Sequence, residues 1–277
     1  MKEEADAFSR IREVLPKGRN QVEINMKFAI KGIVAAVAFV AAGAASAAAT
    51  TVNVGGILDN LRLDGGSGTL SFSADLMAAL DTGKVAVSSW NGGTATATKD
   101  VDGFYTEVSA TANITSVMVD SATHKYNSIV VTGGATQTSP VLKGVSSGGS
   151  LSVGDLNVDY VNKRVYATVV GANGVGTLTN YYLWDIVNPV VQDTYVAGQN
   201  QTLTTISGLQ ITAGGFNTFV QSLGLLSLGK GALQTVTDFG TITTKISVTA
   251  VPEPSTYALM AMGVAAVGVA ARRRRAA

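Results

Sequence analysis

The chain has 277 residues, with 20 basic against 19 acidic side chains, 31 glycines, one histidine and no cysteine. The lack of cysteine excludes disulfide scaffolds, thiol catalysis and Cys-ligated zinc or iron–sulfur centres. The near-neutral total hides an uneven distribution: the stretch from about residue 48 to 250 holds nine basic and thirteen acidic residues, a net of −4, which argues against nucleic acid as a partner.

Residues 1–25 carry five acids and five bases. They read as an over-extended start with Met26 the initiator, or else as a long n-region. From Met26 the sequence MKFAIKGIVAAVAFVAAGAASAAATT has the three parts of a secretory signal. Lys27 and Lys31 are the basic n-region, Gly32 to Ala42 the apolar h-region, and Ala45-Ser46-Ala47 the small-residue cleavage site. Signal peptidase is the implied partner, with cleavage after Ala47 or Ala49, so that residues 26–49 are the signal peptide and 50–250 the mature domain. No arginine pair precedes the apolar run, which favours general secretion over the twin-arginine route.

The mature region is rich in Thr, Val, Ser, Gly and Ala, and its apolar residues alternate more often than they recur at helical spacing. TLSFSA, YNSIVVTG, KRVYATVVG, TNYYLWDI and TKISVTA are predicted strands, punctuated by turns such as DGGSG, NGG, SSGGS and GANGVG. The predicted class is mainly β, most simply an antiparallel β-sandwich with one or two short helices. The first helix is SADLMAALDTG, capped by Ser73 and stopped at Gly83. The second lies in GGFNTFVQSLGLLSLGKG, where Phe216, Phe219, Val220 and Leu223 share one face. Strand alternation puts Tyr182, Trp184 and Ile186 on one face of their strand, as a core stripe would be.

Candidate chemistry in this region is sparse. His124, in SATHKYNS, has no Gly-x-Ser-x-Gly elbow to serve, and reads as an ordinary exposed histidine. KDVDGFYTE brings Asp100, Asp102 and Glu107 close together and could hold calcium, but with Gly103 at loop position six the twelfth residue is Ser109 rather than Glu. An acidic turn without a cofactor is the favoured reading. Trp90, just before NGG, is the ring best placed to lie exposed and stack on a sugar.

The chain closes with VPEPSTYALMAMGVAAVGVAARRRRAA. Pro252 and Pro254 fix their own φ angles and bias Val251 and Glu253 toward extended backbone, giving a strip that a protease can bind. Tyr257 to Ala271 is an uncharged run of fifteen residues, about 22 Å as a helix against about 30 Å of hydrocarbon, so it is short for a span. Arg272, Arg273, Arg274 and Arg275 can snorkel to a headgroup layer, and the positive-inside rule keeps them cytoplasmic. A C-terminal transmembrane helix joins the N-terminal signal helix on this reading.

Val251-Pro252-Glu253-Pro254-Ser255, with the apolar run and the arginines, resembles the PEP-CTERM sorting signal of Gram-negative bacteria. The resemblance covers about the last 27 residues. It implies recognition by exosortase, a multi-spanning membrane protease, with a cut at or near the triplet after a transient stay in the inner membrane. It also implies association with exopolysaccharide and biofilm matrix at the cell surface or outside the cell. The expectation is a non-enzymatic structural or adhesive component. A carbohydrate-binding module, with calcium as an aid, is the alternative, and a secreted hydrolase comes third.

Overall fold

The computed structural model describes residues 49–192, 201–252 and 254–275, without the side chains of 254–255, 269–271 and 273–275. The expected signal peptide up to residue 48, with Ala45 and Ala47, lies outside the described residues, as does Glu253. The strands are β1 (Ala49–Asn53), β2 (Ile57–Leu58), β3 (Leu61–Phe72), β4 (Ala86–Trp90), β5 (Thr94–Lys99), β6 (Tyr105–Asp120), β7 (Lys125–Thr132), β8 (Gly134–Leu142), β9 (Ser146–Asp159), β10 (Arg164–Gly171), β11 (Gly176–Ile186), β12 (Val191–Gln192), β13 (Gln201–Ile206), β14 (Leu209–Ile211) and β15 (Gly240–Ala250). The helices are α1 (Ala74–Gly83), α2 (Ala213–Ser222), α3 (Ser227–Gln234) and α4 (Pro254–Arg275).

All strand pairs are antiparallel, as the alternating pattern predicts. Two separate sheets are not what forms, however: the strands join in one hydrogen-bonded network running β12-β13-β15-β3-β6-β7-β9-β10-β11-β14. The cause is the length of three strands, each of which changes partners partway along. β6 pairs with β5 and β3 through its first half and with β7 and β1 through its second. β9 likewise leaves β8 for β7 along its edge, and β3 leaves β6 for β2.

The network folds over so that its arms meet across the core. Tyr126 of β7 reaches Thr202 of β13 at 2.9 Å, and Tyr160 reaches Thr244 of β15 at 3.2 Å. Between them alternate residues point inward: Val165, Ala167 and Val169 of β10, and Ile242, Ile246 and Val248 of β15, are all buried. Fully burying one such aliphatic side chain contributes about 1.5–3 kcal/mol. Gly154 is required where β9 passes under the β4–β5 turn, since a Cβ there would lie 2.5 Å from the Gly133 carbonyl oxygen and 2.8 Å from the Trp90 ring.

The helices close one end of this core. Ser73 caps α1 by accepting from the Leu76 N–H at 3.1 Å, as the sequence predicts, and Leu76 and Leu80 are buried. The second predicted helix divides in two. Gly224, at φ +61°, ends the first segment, and the chain restarts as α3 at Ser227. Phe219 and Leu223 are buried as expected, and Phe219 meets Phe239 edge to face at 5.7 Å.

Candidate functional site: the sorting tail

β15 runs between β13 and β3 through most of its length, but its end differs from its middle. Among the described residues its pairing with β13 reaches Gln201 opposite Ser247, and a register shift against β3 falls between Ser247 and Val248. Beyond it Val248 faces Leu63, Thr249 faces Arg62 and Ala250 faces Leu61. The Val251 N–H then donates to the Asn60 carbonyl at 2.7 Å. The Thr249 hydroxyl donates to the Asp64 carboxylate, whose other oxygen accepts from Arg62 Nε at 2.8 Å. The hydroxyl first, and the guanidinium after it, hold Asp64 below the usual carboxylate range.

Pro252 is exposed, and α4 opens at Pro254, where a missing N–H costs a helix nothing. Every described side chain from Thr256 to Gly268, and that of Arg272, is exposed. Tyr257, Leu259, Met260, Met262, Val264 and Val267 are each 59–70% exposed. These apolar groups surround the helix rather than forming a stripe, so the helix has no face suited to a protein core. Among the described residues, no helix is long and apolar enough to cross a membrane. α4 has 22 residues, and the eighteen from Pro254 to Ala271 are uncharged.

Residues 250–275 match the PEP-CTERM protein-sorting motif. The match joins the end of β15 to the arginines and leaves the β-rich domain outside it. No curated protein matches the chain, and neither does any solved structure. The motif implies export and transient membrane sorting in a Gram-negative bacterium, with processing by exosortase.

The other sequence candidates are dispersed over the domain. Trp90 is half-buried at the end of β4, against Gly154. Asp100 accepts from the N–H groups of Asp102 and Phe104, at 3.0 and 2.9 Å, and so closes the β5–β6 turn; Glu107 lies exposed on β6. Among the described residues no group of three or more His, Cys, Asp or Glu side chains could hold a metal ion. His124 is exposed in the β6–β7 turn at φ +55°, its N–H donating to the Asp120 carbonyl at 2.8 Å. The neighbouring N–H of Thr123 is the main cause of a lowered Asp120 pKa. A recess of about 290 Å³ beside this turn is lined by Thr123, Lys125, Asn127, Tyr160 and Gln192, among others, and not by His124.

An outward-facing cluster on β10 and β11 escaped the sequence reading. Val165 faces Trp184, but the next pair is Tyr166 with Tyr182, so Leu183 is an extra residue on β11. Such a bulge reverses strand parity. Trp184 and Ile186 stay buried as expected, whereas Tyr182 turns to the opposite face. There its ring lies 5.5 Å from that of Tyr166 and 5.0 Å from the Arg164 guanidinium, and its hydroxyl donates to Asp185. That bond to a carboxylate is the first cause of a raised Tyr182 pKa. The core interior, by contrast, holds a void of about 40 Å³ beside Trp184, Phe219 and Phe239. That is space for about three or four waters at ~10–15 Å³ each.

Proposed function

We propose that this protein is a non-enzymatic structural or adhesive component, carried across the inner membrane, held there by α4, and released or attached outside the cell once exosortase has cut near Pro252. The observation that carries this reading is the sorting motif on an exposed apolar helix that leaves the domain at the end of a core strand. A Cys-free domain whose antiparallel strands join in one hydrogen-bonded network suits a load-bearing or matrix role. Association with exopolysaccharide is the matrix partner in this reading, and no cofactor is needed. Mass spectrometry of the protein from cells with and without exosortase tests it. The expected product ends near residue 252 only when the protease is present; a full-length chain with Arg272–Arg275 in both cases would overturn it.

The Tyr166–Tyr182–Arg164 cluster favours carbohydrate binding as a second reading. Aromatic rings beside a guanidinium and a carboxylate offer both C–H stacking and hydrogen bonding to a sugar. Tyr166→Ala is expected to weaken retention on an exopolysaccharide affinity gel more than Trp90→Ala does. Equal retention of both variants and the unaltered protein would remove this reading.

A further inference from the structure

The sorting reading leaves open how a membrane protease reaches a site so close to a folded domain. Only Val251, Pro252 and Glu253 separate β15 from α4. A protease holds its substrate as extended backbone, free of other pairing, over several residues. Neither side of the site offers that length while the chain keeps its fold. We propose that the β2–β3 hairpin is a clasp on the sorting site, and that exosortase cuts through a state in which the end of β15 has come away from β3. This rests on the sorting reading given above.

The end of β15 is built to detach as a unit. The register shift before Val248 separates Val248 to Ala250 from the rest of the ladder with β3. On the β3 side one hairpin holds them. Its turn residues Asp59 and Asn60 have φ of 49° and 60°, the left-handed pair of a tight two-residue turn, which fixes the Asn60 carbonyl against Val251. Asp64 adds the side-chain latch by binding Thr249 and Arg62 together. Detachment has a natural limit at Val248, which is buried with Leu61 and Leu63, whereas Thr249 and Ala250 are exposed. Release from the helix side is the costlier route, because unwinding α4 at a bilayer would leave backbone groups without partners.

The complete absence of cysteine makes a clean test available. Arg62 and Thr249 face each other across β3 and β15, and antiparallel partners have Cα separations of about 4.5–5.5 Å, within disulfide range. The full chain carrying Arg62→Cys and Thr249→Cys is expressed with exosortase, and the cut product is followed with and without reductant. The oxidised form is expected to be cut at least about tenfold more slowly, with reductant restoring the rate, because the bond removes the local opening. A control lock at the facing pair Asp120→Cys and Lys125→Cys leaves cutting unchanged. A third variant, six Gly and Ser residues inserted between Ala250 and Val251, leaves the domain's pairing intact and is cut several-fold faster. The clasp is overturned if the unaltered chain is cut while the oxidised lock and the insertion are cut at that same rate. If the unaltered chain is not cut at all, the sorting reading fails and the clasp with it.

Discussion

The two regions of this chain carry information in different ways. The tail is legible residue by residue: a proline pair, an apolar run and four arginines in fixed order match a sorting motif over residues 250–275. The β-rich domain has the clearer structure and the less legible role, and its residues of interest come together only through pairing. Tyr166 and Tyr182 are sixteen positions apart and touch because a bulge on β11 turns one toward the other. A linear signal is read by a protease or a bilayer from composition and order, whereas a binding face exists only once the fold has formed.

That contrast can be broken most severely at the motif. Replacing Pro252, Glu253 and Pro254 by alanines is expected to abolish processing outright, as seen by gel mobility, while the melting temperature of the domain stays where it was. A matched fall in both would mean that the two regions are not separate in function.

The converse change is next in size. Trp184 is 2% exposed and packs on Phe239 with ring centroids 6.1 Å apart. Trp184→Ala is expected to cost about 3–5 kcal/mol in urea unfolding. Cutting should still occur in that variant, since the motif is untouched. Loss of cutting with the domain still folded would show that the core, and not the tail alone, is recognised.

Tyr160→Phe is a smaller perturbation with a pH signature. It removes the hydroxyl that meets Thr244 at 3.2 Å, and is expected to cost about 1 kcal/mol at neutral pH. Burial pushes the Tyr160 pKa above its ordinary value, so the neutral phenol is the form that the fold favours. Its contribution is complete below the unfolded pKa of about 10 and is lost as pH rises toward the folded value. The unaltered domain should therefore weaken above about pH 10 more steeply than Tyr160→Phe does, in denaturation curves taken across that range.

The smallest effect is expected at Asp64. Its lowered pKa means that its contribution is present above the unfolded value and is lost as pH falls through the folded one, below about pH 4. Hydrogen exchange at Ala250 and Val251 should quicken in that acid window, and Asp64→Asn should show the faster exchange already at neutral pH. Identical exchange in both proteins would leave the latch without a role.

The sequence by itself determined everything set by neighbours along the chain. Ser73 caps α1 because a hydroxyl just before an apolar turn meets a free N–H three residues on. Alternation marked the strands, and the tail was readable because prolines, aliphatics and arginines act through local backbone bias and solvent transfer. Only the tertiary structure decided the rest. It joined the strands into one network because β3, β6 and β9 outlast their first partners, divided the second helix at Gly224, and turned Tyr182 outward by one extra residue. Register is a property of two strands together, and a single chain read in order does not contain it. The hold of Asn60 and Asp64 on the sorting site is of that kind: two segments distant in sequence meet where β15 gives way to the motif.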